Sequence, residues 1–158
     1  MQDRLWFGQM VLSTKESGKL LKQLYKNSTT HYQQKLAVRN LTMALLMLDS
    51  CLRISEIVHL VVSDLFIQGN PVCTLHVVRS HRKKCHDRFI PLTKCVRQLI
   101  ESMDEFWWMP DAEKPGNFAF YNRSALKHVT ERQFQRIIKQ SALEAFDYPI
   151  TPNILRQV

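Results

Sequence analysis

The stretch "SCLRISEIVHLVVSDL", residues 50–65, sets a charged side chain inside an otherwise apolar run. Leu52, Ile54 and Ile57 are typical core residues, whereas Arg53 carries a permanent charge that must be paired or must face an anion. Glu56 follows Arg53 at the i,i+3 spacing of helical ion pairs. Taken alone, the pattern predicts a local salt bridge on a short helix.

The composition is that of one globular domain with a basic excess. Hydrophobic residues make up 45% of the 158 residues and charged residues 23%, which is enough for a sizeable core. Lys and Arg number 22 against 14 acidic residues, and this net charge of +8 favours an anionic partner such as nucleic acid. The longest apolar run, "MALLML" at 43–48, is too short for a membrane span of about 20 residues, and the start lacks the apolar core of a signal peptide. No membrane association is therefore expected.

Cysteine usage indicates the redox compartment. The four cysteines, at positions 51, 73, 85 and 95, have no disulfide-framework spacing. Reduced thiols in a cytoplasm are therefore expected, with Cys51 and Cys95 as plain core residues.

Hydrophobic periodicity predicts helices on both sides of a β-hairpin. A capping box at Ser13 predicts a helix at 14–25, and an apolar stripe from 36 to 48 predicts a second helix. Asp49 and Ser50 are expected to end the second helix and to cap the short helix that carries Arg53 and Glu56. "VCTLHVV" at 72–78 and "RFIPL" at 88–92 predict antiparallel strands, and "NFAFY" at 117–121 a third. Further helices are expected at 94–108, after the Thr130 capping box and from Pro152. The predicted fold class is mainly α with a small three-stranded antiparallel β-sheet.

Two more basic segments follow Arg53 along the chain. The first is "RSHRKKCHDR" at 79–88, which alone would be a solvated hairpin turn but is also suited to tracking phosphates. The second is "TPNILR" at 151–156, which sets Arg156 in the first turn of a new helix.

Taken together, these three segments resemble the signatures of the tyrosine recombinases, also called the phage integrase family. "LRISEIVHLVVSDL" is similar to the first signature, an arginine followed after two residues by glutamate and an apolar residue. "RKKCHDRFIPL" matches the basic hairpin that ends in Arg, two apolar residues, Pro and Leu, and "ITPNILR" matches the third signature except for its histidine. The resemblance covers roughly residues 13–158 and implies the mainly helical catalytic domain of that family.

The resemblance also implies a chemistry. Family members cut one DNA strand by attack of a tyrosine on a phosphodiester, and the 3′-phosphotyrosyl link is later reversed by a second hydroxyl. Arg53 and Arg156 are expected to bind the nonbridging oxygens, since guanidinium groups bind phosphate bidentately and keep their protons. Lys83 is expected to protonate the leaving hydroxyl as general acid, with Lys84 and Arg82 as register alternatives. Glu56 is expected to brace Arg53.

The partners and surroundings of the chain follow from the same resemblance. Duplex DNA is the expected partner, contacted through the basic hairpin residues Arg79, Arg82, Lys84 and Arg88. No metal or other cofactor is required, because the covalent link stores the bond energy. Family members act as tetramers on paired DNA sites, and a monomer in a prokaryotic cytoplasm is expected for this chain.

The chain departs from the family pattern at several positions. Asn153 stands where the family has histidine, so it can donate a hydrogen bond to phosphate but cannot carry a proton away. Cys51 stands where glycine is usual. No tyrosine follows Arg156, and the DNA-clamping domain that usually comes first has no counterpart. We therefore expect residues 1–158 to be a partial catalytic domain that forms no covalent link to DNA alone.

Three other interpretations compete with this one. Cys73, His76, His81 and Cys85 have a zinc-knuckle-like spacing, but a strand at 72–78 would point the first two to opposite faces. A DNA-binding or regulatory module that has lost the chemistry would fit the missing histidine and tyrosine. A structural, protein-binding helical domain would need the charge only for solubility.

Overall fold

The computed structural model describes residues 12–26, 28–78, 87–108 and 116–156. Its helices are α1 (Thr14–Lys26), α2 (His31–Ser50), α3 (Ile54–Val58), α4 (Val62–Leu65), α5 (Lys94–Met103), α6 (Glu131–Phe146) and α7 (Pro152–Leu155). A π-helical turn, Asp104–Trp108, extends α5. The strands are β1 (Phe66–Ile67), β2 (Asn70–Pro71), β3 (Thr74–Val77) and β4 (Arg88–Pro91). The predicted class, mainly helical with small antiparallel sheets, is confirmed.

The strand arrangement differs from the predicted three-stranded sheet. Within the described residues, β1 pairs only with β2 and β3 only with β4, both antiparallel. The expected third strand makes single bridges instead, from Phe118 to Val61 and from Tyr121 to His128. Its two bridged residues contact different segments, so no continuous ladder forms there.

Local signals placed the helix starts correctly. The Ser13 N–H donates to Glu16 Oε2 at 2.9 Å, and the Glu16 N–H donates back to Ser13 Oγ at 3.3 Å. Thr130 and Gln133 form the same reciprocal pair at the start of α6, at 2.9 and 3.2 Å. Both predicted capping boxes are confirmed, because this interaction needs only residues three apart.

Helix α2 lies at the centre of the molecule. It packs against α1, α3, α5, α7 and the π-helical turn. Its Met43, Leu46 and Met47 are completely buried, and they join Ile100 of α5 and Phe134 of α6 in one core cluster. None of the helices in the described part of the chain has the length and apolar content needed to cross a bilayer.

One arginine belongs to this interior. Arg39 of α2 is 3% exposed, and its guanidinium donates to the Tyr121 carbonyl at 2.9 Å and to Asn122 Oδ1 at 2.6 Å. It also lies over the Trp107 ring, 5.3 Å from the ring centroid. Burial lowers the pKa of Arg39 to about 10, so the side chain stays charged at neutral pH. Arg39 therefore joins α2 to the π-helical turn and to the segment that follows residue 116.

The β3–β4 hairpin has an inner and an outer face. Leu75 pairs with Ile90, and Val77 pairs with Arg88. Leu75 and Val77 are buried, so Arg88 shares the inner face, since directly opposed residues point to one side of a sheet. Arg88 is therefore directed toward the body of the domain rather than outward.

Candidate phosphate-binding site

The backbone around Arg53 explains why a charged residue sits in an apolar stretch. Arg53 is the extended N-cap residue of α3, with φ −78° and ψ 149°. Its neighbours Leu52 and Ile54 are 0% and 7% exposed, whereas Arg53 itself is exposed. The chain is thus anchored on both sides of Arg53 while the guanidinium reaches solvent.

Glu56 caps α3 from its third position. Its Oε2 accepts a hydrogen bond from the Arg53 backbone N–H at 2.7 Å. A negative side chain in the first turn also interacts favourably with the helix dipole. The predicted capping role of Asp49 and Ser50 is wrong. Asp49 accepts instead from the Thr93 hydroxyl at 2.7 Å, and Ser50 is buried at the end of α2.

The ion pair of Glu56 reaches across the fold. Arg88 Nη2 donates to the same Oε2 at 2.6 Å, and the Glu56 side chain is only 16% exposed. The i,i+3 spacing suggested a local pair with the Arg53 guanidinium, but the charged partner of Glu56 in the described residues is Arg88. Glu56 therefore holds Arg53 through its main chain and holds β4 through a salt bridge.

Cys51 brings the carboxyl-terminal arginine to the same place. The Cys51 carbonyl accepts from Arg156 Nε at 3.0 Å, across 105 positions of sequence. The Cys51 thiol lies 3.9 Å from the Arg156 carbonyl. The Arg156 side chain is thus bound to the main chain of a residue two positions before Arg53, the N-cap residue of α3.

Cys51 also has an unusual backbone. It ends α2 with φ 51° and ψ 26°, the left-handed conformation that favours glycine. The prediction that Cys51 and Cys95 are core residues is wrong, because both are exposed. At position 51 the reason is the turn, which reverses the chain at the surface between α2 and α3.

Asn153 lies beside a cavity next to this site. Asn153 is exposed in the first turn of α7, which begins after the N-cap residue Thr151. A cavity of about 290 Å³ is lined by Ile54, Gln135, Lys139, Ile150, Thr151, Pro152 and Asn153. Gln135 and Lys139 were not singled out from the sequence. Their i,i+4 spacing on the polar face of α6 was the available signal.

Four predicted hairpin residues, Arg79, Arg82, Lys83 and Lys84, lie outside the described residues. The flanking strands are described, and β4 begins at Arg88, which contacts Glu56 of α3. The start of β4 is therefore within one side-chain length of α3.

The two candidate zinc ligands that the structure describes, Cys73 and His76, contact other side chains. His76 Nε2 is 3.0 Å from Asp87 Oδ2, and its ring stacks on Phe89 with centroids 4.5 Å apart. Cys73 Sγ lies 3.6 Å from Arg97 Nη1. No group of three potential metal ligands occurs in the described part of the chain, and His81 and Cys85 lie outside it.

The chain has counterparts among known protein families and solved structures. The chain matches the phage integrase family over residues 17–158. No curated protein matches it in sequence. Among solved structures it is similar to XerA recombinase, with a TM-score of 0.69, 18% identity, and coverage of 92% of this chain and 47% of that one.

Two DNA complexes share the same fold. XerH site-specific recombinase bound to difH substrate has a TM-score of 0.65 and 18% identity, over 93% of this chain and 40% of that one. Tn1549 transposon integrase in complex with circular intermediate DNA has a TM-score of 0.65 and 20% identity, over 93% and 51%. The chain spans about half the length of these solved structures or less.

Proposed function

Because the chain belongs to the phage integrase family, we propose that it is part of the catalytic domain of a site-specific tyrosine recombinase and binds a phosphodiester of duplex DNA. Arg53 and Arg156 are the proposed ligands of the nonbridging phosphate oxygens. The observation that carries the proposal is the hydrogen bond from Arg156 Nε to the carbonyl of Cys51, two positions before Arg53.

The donor count supports a shared phosphate. A guanidinium has five N–H groups, and the bond to Cys51 uses one of those on Arg156. The four N–H groups on its two Nη atoms have no partner among the described residues, and we assign them to an anion. Arg53 is exposed, and its main chain rather than its guanidinium is held by Glu56. Two such groups can stabilise the negative charge on the nonbridging phosphate oxygens during transfer.

The other proposed roles follow from the chemistry of each side chain. Lys83 acts as general acid on the leaving 5′-hydroxyl, with Lys84 and Arg82 as alternatives. Asn153, exposed beside Ile54, donates an amide hydrogen bond to the phosphate. In the whole recombinase, attack by a tyrosine breaks the bond from phosphorus to the 5′-oxygen and forms a 3′-phosphotyrosyl ester.

The net charge of +8 supports duplex DNA as the partner. Two similar structures, of XerH and of the Tn1549 integrase, were solved as DNA complexes. We place Lys139 and Gln135 on the same surface, because they line the cavity that contains Asn153. A DNA-associated location follows from this partner.

The test is duplex binding measured by fluorescence anisotropy over a range of salt concentrations. The log affinity of the wild-type chain should fall linearly with log salt. Arg53→Met and Arg156→Met should each weaken binding about tenfold, the effect of losing a charge-assisted hydrogen bond of about 1.5 kcal/mol. In the double variant, the slope of log affinity against log salt should be less steep by about 0.9, the contribution of one phosphate.

Arg123→Met is the matched control, because Arg123 is exposed in a loop and its substitution removes the same positive charge. Equal effects of the control and of the Arg53 variant would contradict the proposal. So would an affinity that does not change with salt.

A second candidate function is a DNA-binding module that does no chemistry. The observation in its favour is Asn153, whose amide cannot transfer a proton in the way that the histidine of the family can. In that case the arginine pair is idle, and duplex affinity should survive Arg53→Met unchanged. The same titration therefore separates the two candidates.

A further inference from the structure

One carboxylate oxygen joins the β3–β4 hairpin to the start of α3. Glu56 Oε2 accepts the Arg53 N–H at 2.7 Å and Arg88 Nη2 at 2.6 Å. The Glu56 side chain is 16% exposed and that of Arg88 is 42% exposed, so this contact is partly withdrawn from water. Both hydrogen bonds are short and end on the same atom.

The Arg88 guanidinium is already bound within the protein. The paired residue Val77 fixes Arg88 on the inner face of the hairpin, where its Nη2 is already bound to Glu56. A half-buried carboxylate without this partner would turn toward water to recover its solvation. The Arg53 N–H would then lose its acceptor, and the backbone that directs the Arg53 side chain would be less fixed.

The pair also changes the local charge. Glu56 is an anion three residues from Arg53, and an unpaired anion there would repel a phosphate. The guanidinium of Arg88, bound to Glu56 Oε2, offsets that charge.

We propose that Arg88 is a positioning residue, which holds Glu56 so that Glu56 fixes the Arg53 main chain and leaves the Arg53 guanidinium for the phosphate. The proposal rests on the proposed function, which supplies the phosphate. It replaces the expectation from sequence that Arg88 tracks the DNA backbone.

The first experiment needs no DNA. Hydrogen exchange of the Arg53 backbone amide is followed by NMR in the wild type, Arg88→Met, Arg88→Lys and the control Arg123→Met. Loss of the Glu56 acceptor should speed the exchange about tenfold in Arg88→Met, as the hydrogen bond contributes about 1.4 kcal/mol. Arg88→Lys keeps a cation for Glu56 and should recover most of the protection. An unchanged Arg53 amide in Arg88→Met would overturn the proposal.

The second experiment uses the sign of the effects on duplex affinity. If the two residues act as a positioning pair, Arg88→Met and Glu56→Gln should each weaken duplex binding several-fold. The double variant should then bind the duplex as tightly as the single variant with the lower affinity. The slope of log affinity against log salt should match that of Arg123→Met. If Arg88 instead contacts a phosphate, Arg88→Met lowers the slope by about 0.9 beyond that control, and Glu56→Gln strengthens binding.

The two experiments separate the two proposals. A wild-type chain that binds no duplex would contradict the proposed function, and the exchange of the Arg53 amide would still decide whether Arg88 holds Glu56. If DNA binds but Glu56→Gln strengthens it, the role of Arg88 is refuted while the phosphate site stands.

Discussion

Replacing Arg39 with methionine tests how the interior holds the helix that leads to the site. Methionine keeps an unbranched apolar side chain, but it ends before the guanidinium carbon that lies over Trp107 and it has no donors. The Tyr121 carbonyl and Asn122 Oδ1 would lose partners at 2.9 and 2.6 Å, and Asn40 Oδ1 would lose partners at 3.2 and 2.9 Å. The residue is 3% exposed, so water cannot easily replace the guanidinium.

The expected loss is set by these contacts. A hydrogen bond to a charged group contributes about 1.5–3 kcal/mol, and the contact with Trp107 adds about 1 kcal/mol. A simple sum would overestimate the loss, because methionine removes the desolvation cost of the guanidinium together with its bonds. We expect Arg39→Met to lower the free energy of unfolding by about 3 kcal/mol.

Urea unfolding at neutral pH, followed by circular dichroism, measures this loss. The midpoint should fall while the dependence on urea concentration stays unchanged, since the exposed area is the same. Arg136→Met, on the exposed face of α6, is the matched control and should stay within about 0.5 kcal/mol of the wild type. An Arg39→Met variant as stable as this control would refute the role of Arg39 in the interior.

Three further predictions concern the site and its supports. Cys51→Gly should raise the free energy of unfolding by about 0.5–1 kcal/mol in urea titrations, because glycine adopts the φ of 51° without strain. A lower free energy of unfolding would mean that the thiol contact with Arg156 outweighs the backbone strain. Thr130→Ala removes the N-cap of α6 and should cost about 1 kcal/mol by thermal unfolding, whereas an unchanged melting temperature would contradict the capping role. Lys139→Met should weaken duplex binding several-fold relative to Lys22→Met on α1, and equal affinities would remove the cavity from the DNA surface.

The sequence was sufficient where the deciding interactions are local. The capping boxes at Ser13 and Thr130 join residues three apart, so the starts of α1 and α6 could be predicted. The β-branched run at 72–78 and the run "RFIPL" at 88–92 placed the strands of the β3–β4 hairpin, since strand propensity is also read from neighbouring residues. The mixed run at 117–121 failed as a strand because its bridges depend on Val61 and His128, which only the tertiary fold brings near.

The sequence supplied candidate residues for the site, but it could not supply their contacts. Arg53, Glu56 and Arg156 were identified by resemblance to the family, and the fold brings all three to the start of α3. The salt bridge from Glu56 to Arg88 joins residues 32 apart, and the bond from Arg156 to Cys51 joins residues 105 apart. The periodicity of hydrophobic residues along the sequence does not predict contacts between residues so far apart. The exposure of Cys51 likewise follows from a left-handed turn rather than from the apolar character of the residue.

A double-mutant cycle on duplex affinity tests the central claim, that two arginines share one phosphate. The cycle compares the wild type, Arg53→Met, Arg156→Met and the double variant at one low salt concentration. Side chains that hold the same phosphate should be coupled by at least about 0.5 kcal/mol, with the double variant binding more tightly than the sum of the single losses predicts. Losses that add within about 0.3 kcal/mol would place the two arginines at independent positions and contradict the account.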